Sequence, residues 1–474
     1  MTKTIERVAV IGAGPAGLAA AYKLQTAGVP VTLFEASPQV GGMAKSFELW
    51  GQIVDLGPHR FFSSDPRVNK FWLESVDNEY VMVNRLTRIY YKGKFYSYPI
   101  QASNALRNLG VIEACKCVLS LIKVKFLPKK DDSKFDSWVS NRFGERLFKI
   151  FFKSYTEKLW GIQTNELDAE FAVQRIKKLS LVEAIIGSLS TKRRKKHRTL
   201  VDEFAYPVLG AGHVYNKLAA KFISAGGELH LNAPVVEIKI GMNSVYIEAQ
   251  SGLNGDFKHV ISTMPLNTLI SKIEAPIDIK EKSSLLKFRN TILVYLKVKG
   301  KNPFPDQWIY VHAQDLLTGR ITNFKNWTKT INKGQEENII CLEYWCYDSD
   351  DIWIQKDSEI INLATTELYA TNLVSTGSIC EGYVRRVAKC YPVYNSGYKD
   401  LLEPIQNYLR KIDRIIPIGR YGSFKYNNQD HSILMGLVAA ENLLTGESTD
   451  LWAINTDYEY QESARITSTG LVHE

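Results

Sequence analysis

"RVAVIGAGPAGLAAAYKLQTAGVPVTLFEAS", residues 7 to 37, reads as a strand, a glycine turn, a helix and a second strand within about thirty residues. Gly12 permits the tight turn, Gly14 lets a pyrophosphate approach the backbone, and Gly17 lets the helix close on the first strand. The phosphates then meet a helix N-terminus, where free N–H groups and the dipole favour anions. Glu35 ends the second strand and is placed to accept hydrogen bonds from the ribose of an adenosine half. An acidic residue there disfavours a 2′-phosphate, so FAD or NAD is expected and NADP is not.

Directly afterwards comes "SPQVGGMAKSF" (Ser37 to Phe47), in which Gly41 and Gly42 supply a second close backbone approach. A glycine pair following the acidic residue resembles the FAD-binding signature of the amine oxidase and glutathione-reductase-like flavoproteins, which selects FAD. Late in the chain, "RIIPIGRYGSFKYNNQDHSILMGLVAAENLL" (Arg414 to Leu444) reads as strand, glycine turn and helix. Arg420 sits at the turn, and Asn428, Gln429 and Asp430 lie near the helix start. In such flavoproteins this unit receives the ribityl and isoalloxazine end. An ordinary strand and helix would explain the apolar pattern but not the polar cluster.

Between these poles, residues 206 to 240 read as a helix followed by hairpin strands, with Val235 and Val236 offering backbone groups to adenine, and "HVISTMPLNTLI" (His259 to Ile270) returns as another strand. The fold class expected is α/β: a Rossmann-like FAD domain of the glutathione-reductase type, discontinuous over residues 1–85, 203–272 and 400–447. A helical substrate domain (86–202), an antiparallel-sheet substrate domain (273–399) and a C-terminal tail (448–474) complete it.

At 474 residues, 45% of them apolar, the chain is too long for one core and has ample material for two or three. Its net charge of +9 favours an anionic ligand or an acidic surface. Part of that excess is "TKRRKKHR" (191–198), read as a solvated loop or as a peripheral contact with anionic lipid or a partner. No aromatic residues interleave with its charges, so no nucleic-acid partner is expected. The six cysteines show no metal spacing, so no metal is expected and the thiols are taken as reduced. The start enters a strand with no signal-peptide core, pointing to the cytoplasm. No segment reads as a membrane span. The nearest, Val111 to Phe126, carries Glu113, Lys116, Lys123 and Lys125 and is expected to be a buried or interfacial amphipathic helix. The oligomeric state stays open.

The remaining segments share a surplus of tyrosine, arginine and tryptophan: "GPHRFF", "YPIQ", "FFKSYTEKLWG" (151–161), "GRITNFKNW", "LEYWCY" and "CYPVYNSGY". Arginine offers a planar fork suited to phosphate, and tyrosine a ring with a hydroxyl. Phe151, Phe152, Tyr155 and Leu159 follow a core-facing helical stripe. No serine with a partner base and no carboxylate pair stands out, which leaves the chemistry to the cofactor.

Together these segments resemble the UDP-galactopyranose mutases, from residue 5 to about 445 and most weakly between 270 and 400. The resemblance implies that His59 lies beside the flavin and that Gln101 stands near flavin and substrate. It implies that Tyr155 and Trp160 face the uridine while Phe151, Phe152 and Leu159 turn inward. Arg175 and Arg320 would hold the diphosphate, Tyr344, Tyr391 and Tyr426 would contact phosphate, and the turn from Asn427 to Ser432 would contact the flavin. Phe62, Phe424 and Thr156 depart from the family's pattern, which leaves base and sugar open.

The activity implied is an FAD-dependent nucleotide-sugar mutase that interconverts pyranose and furanose forms of an NDP-hexose through a flavin N5–sugar adduct. The flavin would act reduced, with NADH or NADPH as candidate external reductant. Two alternatives use the same FAD fold: an oxidase or dehydrogenase of the protoporphyrinogen oxidase and desaturase type, and a non-catalytic binding protein.

Overall fold

The computed structural model describes residues 7–98, 100, 102–169, 203–455, 465–467 and 470–472. Four β-branched strands and the short edge strand Glu228–His230 form a five-stranded sheet, ordered Ile415–Pro417, His259–Ser262, Val8–Ile11, Val31–Phe34 and Glu228–His230. All its pairings are parallel, with Val8–Ile11 at the centre, both faces buried. The helix Pro15–Thr26 packs on it and against the long helix Gln429–Thr445. These helices approach closely because Gly436 has no side chain: a Cβ there would sit 2.2 Å from the Ala16 carbonyl oxygen.

A second, seven-stranded sheet runs Ile379–Pro392, Phe288–Val298, Asn338–Cys346, Arg320–Asn323, Trp308–Val311, Thr87–Tyr91 and Lys94–Ser97. Its central strands are buried on both faces, so alternation divides core from site. Ile292, Val294, Leu296, Ile340, Leu342 and Tyr344 pack beneath the helix Asp357–Ala370. Thr291, Leu293 and Glu343 turn the other way and line a cavity against the parallel sheet.

Residues 87–97, expected in the helical substrate unit, form the two strands at one edge of this sheet. Thr87–Tyr91 pairs in parallel with Trp308–Val311, a long-range match that no local pattern encodes. The segment 145–160 is one continuous helix with a π-helical turn at Lys149–Lys153. It ends where Gly161 turns left-handed (φ +63°), and a Cβ at Gly161 would meet the Arg289 guanidinium at 2.4 Å. Phe151 and Leu159 are buried as expected, and half-buried Phe152 stacks on Phe143.

Asp55 joins three parts of the chain. Its carboxylate accepts from Ser46 Oγ (2.5 Å), the Tyr206 hydroxyl (2.6 Å) and the Ala211 N–H (3.1 Å). Burial nevertheless pushes its pKa from 3.8 up to about 6. A carboxyl raised on folding stabilises fully below its unfolded pKa, and that contribution is lost as pH rises through the folded value. Between about pH 4 and 6 the parent should therefore lose up to roughly 3 kcal/mol relative to Asp55→Asn, whose amide does not titrate. Denaturant unfolding of both proteins at several pH values checks this, and parallel pH curves would contradict it.

Candidate functional site: a dinucleotide cradle opening onto an arginine–tyrosine wall

The cavity between the two sheets has a volume of about 610 Å³. At one end lies the cradle predicted from the glycines. Gly12 takes φ +97°, and a Cβ on it would meet Thr263 Oγ1 at 2.0 Å. A Cβ on Gly17 would lie 1.9 Å from the Gly12 carbonyl oxygen, so this glycine lets the helix seat on the turn. Gly14 and Gly42 face each other across the floor, and a Cβ on Gly42 would come within 3.1 Å of Gly14 Cα. The helix Pro15–Thr26 has no side-chain cap and no acidic residue in its first turn, which leaves its N-terminus available to an anion.

Glu35 is clamped by two amides: Oε2 accepts from Ala13 N–H (2.7 Å) and Oε1 from Ser37 N–H (2.9 Å). Each oxygen keeps accepting capacity, and the residue lines the cavity. Val236 is the extra residue of an irregularity between Val235 and Glu237 in the pairing with Val245–Ala249, and it lines the cavity with its carbonyl accepting from Lys272 Nζ (3.2 Å). These features together fit an adenine dinucleotide.

The other end is built by the antiparallel sheet and the Gly419–Gln429 turn. Arg320 and Glu343 are cross-strand neighbours and form a two-pronged ion pair, Nε to Oε1 at 2.6 Å and Nη2 to Oε2 at 2.5 Å. Burial works against the Arg320 charge, but Glu343 beside it holds the guanidinium well above its ordinary pKa. Arg420 lies over Tyr391 (4.6 Å to the ring centre) and Tyr426 (4.3 Å), and its Nη1 donates to the Asn427 carbonyl. Burial raises the Tyr391 phenol, with Tyr426 adding to the effect, so it stays a protonated donor.

His59 Nδ1 lies 3.0 Å from the Gly57 carbonyl oxygen. That oxygen can only accept, so Nδ1 carries the proton and Nε2 presents a lone pair. Burial, helped by Arg320 and Arg420, pushes the imidazole pKa down to about 4, and it is neutral near pH 7.

Of the residues singled out from sequence, Gly12, Gly14, Glu35, Gly42, Val236, Asn428 and Gln429 line the cavity, as do His59, Arg320, Tyr391, Arg420 and Tyr426. Gln429 is fixed by the Tyr215 hydroxyl at 2.6 Å. Four others stand elsewhere. Tyr344 is on the even-numbered face of its strand, in the core, where its hydroxyl donates to Glu367 (3.0 Å). Asp430 is buried in the first turn of its helix beside His431 and is not part of the wall. Tyr155 and Trp160 form a second row. Tyr155 stacks on His312 (4.9 Å) and meets Tyr310 edge-on (5.4 Å), while fully buried Trp160 packs on Tyr394 and against the edges of Tyr391 and Tyr426. Phe424 is also interior, against Phe288, whereas Phe62 reaches the cavity with Arg60 over its ring. Gln101, Arg175 and the basic run 191–198 lie outside the described residues.

Sequence reasoning missed Glu343, Arg60 and Tyr310, all on the wall. Glu343 left a signal: it is a lone carboxylate inside the apolar strand "NIICLEYWC", and a charge so placed requires a cation opposite.

The model of the family described as flavin containing amine oxidoreductase matches residues 15–396. The chain belongs to that family. Its fold is that of the crystal structure of reduced UDP-galactopyranose mutase, with a TM-score of 0.82 at 23% identity over 96% of this chain and 99% of the other. In sequence, coproporphyrinogen III oxidase of Staphylococcus aureus (strain NCTC 8325 / PS 47) is 22% identical over 94% of this chain and 99% of its own length. Protoporphyrinogen oxidase 2 of Arabidopsis thaliana is 49% identical over 63 residues, only 13% of this chain and 12% of the relative. A flavin is the cofactor implied for a flavin-containing amine oxidoreductase. Among the described residues no helix is long and apolar enough to cross a membrane.

Proposed function

We propose that this chain is an FAD-dependent nucleotide-sugar mutase, interconverting pyranose and furanose forms of an NDP-hexose. The observation that carries the reading is the chemistry of the wall beyond the cradle. Arg60, Arg320 and Arg420 gather there with Tyr310, Tyr391 and Tyr426, and of the two carboxylates lining the cavity among the described residues Glu343 stands with them while Glu35 lies in the cradle. A diphosphate and a sugar suit that surface. A polyene or porphyrin calls for apolar walls, and an amine for negative charge.

When bound and reduced, the flavin supplies a nucleophile. Among the chain's own groups, the buried thiols of Cys117, Cys346 and Cys390 are held protonated by burial. In this reading Arg320, its fork fixed by Glu343, and the Tyr391 and Tyr426 hydroxyls hold the diphosphate while it leaves and returns. His59 accepts a hydrogen bond at Nε2 without bringing charge to the reacting end. Arg175 and Gln101 retain the roles that the resemblance implies.

An oxidase is the second reading, favoured by the names of both sequence relatives and by the neutralisation of Arg320 within the Glu343 pair. Calorimetry with UDP-galactose and the flavin-loaded protein separates the two. Binding is expected, and it should be flat between about pH 5.5 and 8, because His59 is already neutral and Tyr391, Arg320 and Arg420 keep their protons. Absence of binding, or affinity that titrates like a histidine in that window, contradicts the proposal.

A further inference from the structure

The helix Val111–Phe126 turns its apolar side outward. Val111, Ile112, Leu119 and Phe126 are 79%, 75%, 65% and 80% exposed, with Val118 and Ile122 also exposed, while Ala114 and Cys117 are its buried residues. At about 100° per residue, these six exposed side chains fill one arc about 120° wide. Lys125 lies about 20° beyond one edge, and Lys123 and Lys116 lie about 20° and 40° beyond the other. Leu127, 71% exposed, extends the patch past the helix end. The opposite side is anchored: Gly144 packs so closely that a Cβ on it would lie 2.8 Å from the Leu121 nitrogen, and Arg146 pairs with Glu113.

We propose that this helix seats the protein on an anionic lipid surface, its apolar stripe entering the headgroup boundary and its flanking lysines reaching the phosphates. The charges favour lipid over a second copy. An isologous contact would bring lysine-edged stripes together, and the only carboxylate on the helix, Glu113, is already paired on the inward side. A polar groove on another protein would leave the stripe uncovered, whereas an interface with apolar depth and anionic rim matches both features. With sixteen residues and lysines on both borders, the helix lies along a bilayer and does not cross it. None of the residues lining the cavity lies on this helix.

Co-sedimentation of the flavin-loaded protein with vesicles tests it. Vesicles of equal parts phosphatidylglycerol and phosphatidylcholine should bind the parent, and phosphatidylcholine alone should bind it less. Leu119→Glu with Ile122→Glu should lower binding by roughly tenfold or more, while flavin absorbance and melting temperature stay those of the parent, since both side chains are solvent-exposed. Lys116→Gln with Lys123→Gln and Lys125→Gln should lose binding selectively on the anionic vesicles. No binding by the parent, or unchanged binding by the Leu119/Ile122 variant, overturns the proposal. So does a dimer of the parent, measured by sedimentation without vesicles, that the same variant splits.

Discussion

Arg320→Ala is expected to weaken UDP-galactose binding roughly ten- to a hundredfold, because a charge-assisted contact to phosphate contributes about 1.5–3 kcal/mol. Either single substitution also breaks the buried pair, so the double replacement separates binding from folding. Glu343→Ala leaves the Arg320 guanidinium in a site where its side chain is only 16% exposed, and removing one member of a buried pair costs about 3–5 kcal/mol of stability. Replacing both residues by apolar side chains of similar volume should recover much of that stability and none of the affinity. Urea unfolding and calorimetry on the three variants measure the two effects independently. An Arg320→Ala protein that is folded and binds like the parent would show that the wall does not hold the diphosphate.

Gly17→Ala should be more damaging than its single added carbon suggests. The new Cβ would sit 1.9 Å from the Gly12 carbonyl oxygen, and that neighbour is backbone of the phosphate turn itself. Helix and turn must separate, which shifts Gly14 and the helix N-terminus out of register with a pyrophosphate. Overpacking of this kind costs about 1–3 kcal/mol, and the loss should appear mainly as flavin released on gel filtration. By contrast, Gly28→Ala meets no atom within 4 Å and strains only its own φ of +86°, so it should retain flavin. Equal flavin retention by the two variants would contradict the packing account.

The cradle was legible because each of its glycines answers a steric need that spacing alone reveals. Gly12, Gly14, Gly17 and Gly42 fall where the turn and the two close approaches require them. Arg320, Tyr391 and Tyr426 were found through resemblance, and the structure brings them to one wall although they come from distant strands and a turn. The resemblance that assigns Tyr344 to the phosphate carries no information on strand phase. The two-residue period of the strand puts Glu343 and Trp345 on one face and Tyr344 on the other. Trp160 failed for a different reason: a helix that ends against Arg289 and Gly161 directs its last ring into the packing behind Tyr391. The pairing of residues 87–91 with 308–311 depends on contacts more than two hundred residues apart, which periodicity cannot supply.

One incubation reports directly on what the wall does to a nucleotide sugar. The flavin-loaded protein, reduced with dithionite under nitrogen, is mixed with UDP-galactofuranose, and the nucleotide sugars are separated by chromatography. Conversion to UDP-galactopyranose with no net consumption of reductant, abolished when the flavin is fully oxidised, is the predicted result. A reduced protein that leaves UDP-, dTDP- and GDP-sugars of both ring sizes unchanged, and that when oxidised consumes oxygen with an amine or a porphyrinogen, would contradict the mutase and establish the oxidase.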